Sequence, residues 1–244
     1  MALFVLAPGL ALGSFLNVVA ARVPLRRSVV RPGSSCPACA EPIAWYDNIP
    51  LVSYVLLRGR CRCCRVRISW KYPLVELTTA CLISACVLHF GVTAEAAVAA
   101  LFCCVLVAVS VTDLERRIIP NRIVLPAAAI VLVAQTAIHP SIEWAAAAFG
   151  AALFLLAAAL AYPGGMGIGD VKLALLIGAA LGRVTPVALM IGMLSALVPS
   201  IVILARHGLA GRKMGIPFGP FLALGAVVAL FAGEPLLSAY LHLR

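Results

Sequence analysis

Two aspartates are the first candidates for chemistry, because each lies at the edge of a long apolar run. Asp113 follows the run at 96–112, and Asp170 precedes the run at 171–182. A carboxylate at a membrane border is costly and therefore indicates a function. Two carboxyls held close together in an apolar site share one proton, so one can take a proton from water while the other polarises a scissile carbonyl. The pair predicts the chemistry of an aspartic peptidase.

The two aspartates also have a purely structural interpretation. Asp113 could pair with Arg116 or Arg117, and Asp170 could pair with Lys172 or serve as the N-cap of the helix that follows it. Position in the sequence does not decide between these pairings and catalysis. Choosing between the structural and the catalytic interpretation requires the distance between the two carboxyls.

Cysteines form the second candidate site. Cys36 and Cys39 make one C-x2-C pair, and Cys61 and Cys64 make a second after a 21-residue spacer. Two such pairs are typical of a tetrathiolate zinc site, in which four thiolates leave no open position and the metal is structural. Cys63 could replace Cys64 as a ligand, although the spacing favours Cys64. The alternative is a set of reduced loop thiols without a metal.

Composition indicates the elements that must position these residues. The 244 residues are 64% hydrophobic and 11% charged, with a mean hydropathy of +1.09. A soluble domain is about half apolar and about a quarter charged. These values exclude a disordered protein, a coiled coil and an ordinary soluble domain. They predict an all-α polytopic membrane protein, in which the net charge of +10 reflects membrane topology and not a nucleic-acid partner.

About eight apolar runs are candidate transmembrane helices, and one long polar segment at 22–71 holds the four cysteines. The run at 171–182 is short for a full crossing. The runs lie at 3–21, 73–90, 96–112, 123–138, 144–162, 171–182, 185–205 and 217–232.

Charge predicts the orientation of these runs. If the 22–71 segment is cytoplasmic, alternation leaves only Arg183 and Arg244, of 19 basic residues, on the outer side. Cytoplasmic loops of membrane proteins carry an excess of Lys and Arg. The N-terminus is therefore expected outside, with both aspartates at the cytoplasmic border and the cysteine loop in the cytoplasm, where disulfides are rare.

Taken together and in order, these residues and their neighbours resemble the type IV prepilin peptidase family. The matching segments cover nearly the whole chain. They are GSFLNVV at 13–19 with Arg22 and Pro24, CPAC at 36–39, DNIP at 47–50, RGRCR at 58–62, IS at 68–69, KYPLVELT at 71–78, Asp113 with IPN at 119–121, GIGDVK at 167–172 and IPFGPF at 216–221.

The resemblance implies a bifunctional enzyme of the bacterial inner membrane. It implies that Asp113 and Asp170 are the catalytic pair that cuts the leader peptide of prepilins or pseudopilins on the cytoplasmic side. It also implies S-adenosylmethionine as the donor that methylates the new N-terminal amine. Residues 1–90 would form the methyltransferase-type part, with the cysteine loop, and residues 91–244 the peptidase core. The methyl-donor site and the oligomeric state are not predicted.

Three further residues are expected to contact substrate. Gly167 and Gly169 would let a peptide backbone approach the second aspartate. Glu76, at the start of the second run, could contact a substrate amine or the leader, or could instead form a salt bridge with Lys71 or Arg67.

Rival interpretations remain at this point. A transporter or a non-catalytic secretion-assembly component could also combine intramembrane acids with a zinc-clamped loop. Transporter acids lie near the bilayer midplane, whereas these two adjoin loops at one face. A presenilin-like intramembrane peptidase shares the G-x-G-D element but lacks a four-cysteine loop.

Overall fold

A computed structural model of the chain describes residues 2–162, 166–208 and 215–242. In this part, the regular structure is helical apart from two isolated β-bridges in the polar segment. The helices are α1 (Ala2–Arg22), α2 (Val52–Leu56), α3 (Lys71–Phe90), α4 (Ala94–Arg116), α5 (Asn121–Ile138), α6 (Glu143–Ala161), α7 (Ile168–Leu181), α8 (Thr185–His207) and α9 (Gly219–His242).

Each of the eight predicted apolar runs corresponds to a helix, which confirms the all-α polytopic fold. Seven stretches of the described chain are long and apolar enough to cross a membrane, because α7 and α8 together count as one stretch, Ile168–Arg206. A short 3-10 turn, Gly182–Val184, separates these two helices. With 14 residues, α7 rises about 21 Å, less than the hydrocarbon thickness of about 30 Å. Arg244, assigned above to the outer side, lies outside the described residues.

The chain divides into two compact units, Met1–Ala96 and Ala97–Arg244. In the first unit, α1 and α3 approach closely through small residues. A Cβ atom on Gly13 would lie 2.6 Å from the Cα atom of Glu76, and one on Gly9 would lie 2.8 Å from the Cα atom of Ala80. Residues four apart share one face of a helix, and glycines on that face let two membrane helices touch. This contact holds both ends of the polar segment in place.

In the second unit, α7 is the central helix. Most of its 14 residues are buried, as expected for a helix that is apolar around most of its circumference. The core around it contains fully buried side chains from α4, α5, α6 and α9, including Phe102, Val124, Val131, Leu155 and Leu222. The first turn of α7, which carries Asp170, is therefore held from several directions.

Candidate active site

Asp113 and Asp170 line one cleft of the second unit. Asp113 lies in the last turn of α4, and Asp170 lies in the first turn of α7. Their residues are only 6% and 7% exposed, and the two carboxyls are close enough to interact electrostatically. The cleft has a volume of about 250 Å³. Its lining residues are Asp113, Arg117, Ile118, Ile119, Asn121, Gly167, Gly169 and Asp170.

A glycine N–H group holds each carboxyl. The N–H group of Gly219 donates to Oδ2 of Asp113 at 2.8 Å, and the N–H group of Gly167 donates to Oδ2 of Asp170 at 3.1 Å. Gly219 is the first residue of α9, and Gly167 is the N-cap of α7. Both carboxyls therefore lie at helix N-termini, where backbone N–H groups stabilise negative charge. One oxygen of each carboxyl, Oδ2, is bound in this way.

Two glycines allow the backbone to pack closely against residues of this cleft. A Cβ atom on Gly219 would lie 2.9 Å from Oδ2 of Asp113, so any side chain there would displace the carboxyl. A Cβ atom on Gly169 would lie 2.9 Å from the Cβ atom of Ile119, which lines the same cleft. Gly169 therefore lets α7 pack against the segment after α4. Contact of Gly167 and Gly169 with a substrate backbone stays a prediction.

The structure supports the non-catalytic roles predicted for the two aspartates to different degrees. Lys172 donates from Nζ to Oδ1 of Asn121 at 2.9 Å. Arg117 lies close enough to Asp113 to attract its carboxylate. Asp170 is not an N-cap residue, because Gly167 occupies that position and Asp170 bonds back to it from three residues further on. Helix capping and a place in the cleft are thus compatible for Asp170.

Sequence reasoning did not single out Gly219 or Asn121 as members of the site. Gly219 appeared only within a segment that matches the family, and Asn121 only within another. One signal was present: Pro220 follows Gly219 at the start of an apolar run, and proline is favoured in the first turn of a helix. That signal indicates a helix start, but it does not show which side chain the helix start faces.

The four predicted cysteines come together in the first unit. The Sγ atoms of Cys36, Cys39, Cys61 and Cys64 all lie within 4.8 Å of one another, and those of Cys36 and Cys64 are 3.8 Å apart. Zinc–sulfur bonds of about 2.3 Å in a tetrahedron place the sulfurs about 3.8 Å apart. The cluster therefore has the donor set and the spacing to hold one metal ion.

Both C-x2-C pairs are built on the same backbone turn. In each turn, the N–H group of the first cysteine, Cys36 or Cys61, donates to the carbonyl group five residues further on, at 2.9 Å in both cases. The residue four positions after the cysteine, Ala40 or Arg65, has a positive φ of 57° or 60° and donates back to the carbonyl group of the cysteine. The repeat shows that local sequence shapes both halves of the site alike.

The repeated turn also separates Cys64 from Cys63. Cys63 and Cys64 are both exposed, but Cys63 occupies the position that Ala38 holds in the first turn, while Cys64 belongs to the cluster. Hydrogen bonds from the N–H groups of Cys39 and Ala38 lower the pKa of the Cys36 thiol to about 6. Against a hydrogen bond from the N–H group of Glu41, burial and hydrogen bonds with the other three thiols raise the pKa of Cys39 to about 12. A thiolate is the form that binds a metal.

Glu76 lies in the same unit as the cysteines and is buried within α3. Its Oε2 atom accepts a hydrogen bond from the N–H group of Leu51 at 2.9 Å, and its carboxylate also bonds the side chain of Ser14. Leu51 has a positive φ of 58° and caps the start of α2. Glu76 thus joins α1, α2 and α3, while its predicted contact with substrate stays a prediction.

Both units of the chain match models of known protein families. The family model described as Bacterial Peptidase A24 N-terminal domain matches residues 8–90, and the model described as Type IV leader peptidase family matches residues 100–204. No solved structure matches the chain.

Several relatives carry the name prepilin leader peptidase/N-methyltransferase, among them proteins of three bacteria. The protein of Bacillus subtilis is 37% identical over 96% of both chains. The protein of Pseudomonas aeruginosa is 36% identical over 96% of this chain and 91% of its own. The protein of Myxococcus xanthus is 50% identical over 51% of this chain and 37% of its own.

Proposed function

Because the chain belongs to the type IV leader peptidase family, we propose that it cleaves the leader peptides of prepilins or pseudopilins and methylates the new N-terminal residue. The observation that carries the peptidase proposal is the cleft in which Asp113 and Asp170 each bind a glycine N–H group. The name shared by its relatives supports the second activity.

The geometry of the cleft supports cleavage by water. One carboxylate takes a proton from a water molecule, whose oxygen attacks the carbonyl carbon of the scissile peptide bond. The other carboxyl donates its proton to the carbonyl oxygen. The first carboxyl then passes the proton it took from water to the leaving nitrogen, and the second regains its proton as the tetrahedral intermediate collapses. The hydrogen bonds to Gly219 and Gly167 keep each Oδ2 in place, so that the Oδ1 atoms can act on water and substrate.

Zinc is the metal that the four-cysteine cluster fits best. Four thiolates at tetrahedral spacing suit zinc and leave no position for a substrate or a water molecule. The ion would therefore join the two turns of the polar segment and take no part in either reaction. A polar segment with few buried apolar side chains gains its fixed shape from such an ion.

Methylation belongs, in this proposal, to residues 1–90, and cleavage to residues 91–244. The family-model matches at 8–90 and 100–204 support a division near this point. S-adenosylmethionine would supply the methyl group to the new terminal amine. The two reactions would thus act in sequence on one polypeptide substrate.

The proposed location is the bacterial inner membrane, with the N-terminus outside and the cleft at the cytoplasmic face. The basic residues Arg116, Arg117 and Lys172 adjoin the two aspartates, and basic residues favour the cytoplasmic side. A transporter or a non-catalytic assembly component is not favoured, because the two acids lie at helix ends and the relatives are named as enzymes.

The test is a mass measurement on a defined substrate. Purified enzyme is incubated with a full-length prepilin, with and without S-adenosylmethionine, and the products are weighed. We expect loss of the leader in both reactions and the added mass of one methyl group only with the donor. Uncut prepilins under conditions where a family member cleaves them would contradict the proposal.

A further inference from the structure

Five large apolar side chains are exposed on the polar segment that carries the cysteines. Trp45, Val52, Val55, Leu56 and Trp70 are each between 50% and 80% exposed, and we call these five residues the loop patch. Large apolar side chains grouped on a surface mark a site of interaction with a partner or a membrane. The four-cysteine cluster does not require these side chains.

The short helix α2 shows that the apolar residues face outwards. Val52, Val55 and Leu56 lie at positions i, i+3 and i+4, which share one face of a helix. The buried side chain of α2 is polar: Ser53 donates from its hydroxyl to the carbonyl oxygen of Tyr46 at 2.8 Å. This helix therefore buries its polar residue and exposes its apolar ones, the reverse of a helix on a water-facing surface.

Contacts with α3 place α2 at the depth of the membrane border. The N–H group of Leu51, which precedes α2, donates to Glu76. Glu76 lies five residues after Lys71, the first residue of α3, a rise of about 7.5 Å along the helix. Helix α2 thus begins beside the first turns of a candidate membrane span. Trp70 immediately precedes that span, where aromatic residues of membrane proteins typically meet the headgroups.

The charge around the loop patch is strongly positive. Segment 22–71 holds ten Lys and Arg residues against Glu41 and Asp47. Arg62 already pairs with Asp47, with an Nη2–Oδ1 distance of 2.6 Å. The remaining positive charge is complementary to anionic lipid headgroups.

We propose that the loop patch inserts into the headgroup region of an anionic membrane and so anchors the cysteine-bearing segment beside α3. The lipid surface is the favoured occupant because the patch continues from a membrane span and carries a complementary charge. A peptide substrate would need neither the depth nor the excess of basic residues. The anchor does not depend on either proposed enzymatic activity.

Tryptophan fluorescence in lipid vesicles tests this anchor in the full-length chain. The chain has three tryptophans, so the double variant Trp70→Phe, Trp144→Phe keeps Trp45 as the single reporter. It is reconstituted in vesicles of brominated phosphatidylcholine and phosphatidylglycerol. We expect quenching of Trp45 fluorescence by about twofold or more, since interfacial side chains reach the acyl boundary. Quenching should weaken when phosphatidylglycerol is omitted.

Two sets of variants identify the residues responsible. Val55→Asp and Leu56→Asp, added to the reporter chain, should abolish the quenching. Val30→Asp is the matched control, because Val30 is as exposed as Leu56, at 76%, but lies outside the patch. If the aspartate variants do not fold, the effect of phosphatidylglycerol on quenching in the reporter chain tests the anchor instead.

Three results would overturn the anchor. Iodide in the aqueous phase could quench Trp45 fluorescence while brominated lipid does not. Val30→Asp could reduce quenching as much as Leu56→Asp. Trp45 could also become shielded only when a prepilin is added, which would assign the patch to a substrate.

Discussion

The four-cysteine cluster and the aspartate cleft are built over very different distances along the chain. Within each cysteine turn, the backbone hydrogen bonds join residues four or five positions apart. In the cleft, Gly219 bonds Asp113 across 106 residues. A turn that closes on itself depends on local sequence, whereas the cleft exists only when α4, α7 and α9 are packed together.

This difference predicts how each region responds to change. The cysteine cluster consists of two similar halves, so we expect it to depend on the proposed metal ion that would join them. The cleft has no such joint and is held by packing around α7 and by two glycine N–H groups. We therefore expect the cysteine cluster to respond to loss of a ligand and the cleft to respond to changes in its packed residues.

Removing either carboxyl function should have the largest effect. We expect Asp113→Asn or Asp170→Asn to lower cleavage about 10³-fold or more, because an amide can be neither the base nor the acid. Both variants should remain in the membrane. Asp113→Asn should still methylate a pre-cut pilin, since methyl transfer does not need the carboxyl pair. The measurement is product mass on uncut and pre-cut substrate.

Asp47→Asn is the matched control, because it makes the same chemical change outside the cleft. It should cleave at a near-normal rate. If Asp113→Asn or Asp170→Asn cleaved as well as this control, that residue would not belong to the pair. If Asp113→Asn and Cys36→Ser lost methylation of pre-cut pilin equally, the two activities would not be separable as proposed.

Loss of a cysteine ligand should release the metal. The native chain should carry about one zinc ion, the stoichiometry of a tetrathiolate site. Serine at Cys36, Cys39, Cys61 or Cys64 should lose it, whereas Cys63→Ser should keep it because Cys63 lies outside the cluster. Metal analysis of chelator-free preparations measures this. A native preparation without zinc, or loss of zinc from Cys63→Ser alone, would refute the assignment.

A side chain at Gly219 should misplace Asp113 without removing it. The added Cβ atom of Gly219→Ala would lie 2.9 Å from Oδ2 of Asp113. We expect kcat to fall by about 10- to 100-fold with little change in KM, since small displacements of catalytic groups cost that much. Steady-state kinetics with a prepilin measures both constants.

Gly150→Ala is the control for the Gly219 variant. Gly150 lies within α6, and a Cβ atom there meets open space. Its activity should match that of the native chain. An unchanged kcat for Gly219→Ala would show that a Cβ atom at this position does not displace the Asp113 carboxyl.

The smallest effect is expected at the Asp47–Arg62 pair, in which Arg62 is exposed and the Asp47 side chain is 12% exposed. Hydrogen bonds from Arg62 lower the pKa of Asp47. A lowered pKa means that the stabilisation is present above the ordinary value for Asp and is lost as the pH falls through the lowered one. Asp47→Asn should therefore reduce thermal stability slightly, by the same amount from about pH 5 to pH 8. Unfolding temperatures measured across this range test the prediction.

Salt provides the control for this pair. Because the Arg62 side chain is 61% exposed, the difference between Asp47→Asn and the native chain should shrink in about 1 M salt. A difference that grows with salt, or that changes strongly between these pH values, would show that Asp47 acts through something other than its bond to Arg62.

Much of the fold could be predicted from hydropathy. Eight apolar runs became helices, because a membrane span must satisfy its backbone hydrogen bonds internally and so leaves a local signal. The short run became α7, a 14-residue helix that is followed directly by a 3-10 turn and α8. Its central place in the second unit could not be predicted, because periodicity does not identify the neighbours of an apolar helix.

Local sequence patterns were sufficient to identify the four cysteines and the two aspartates as candidate site residues. The C-x2-C spacing identified the four cysteines, since each pair lies within one turn whose hydrogen bonds are local. The position of two acids at the ends of apolar runs identified Asp113 and Asp170. Only the tertiary structure decided that these acids share a cleft, that Gly219 holds one of them, and that Glu76 bonds Leu51. Those contacts join residues from 25 to 106 positions apart, and packing between helices, not any local pattern, brings them together.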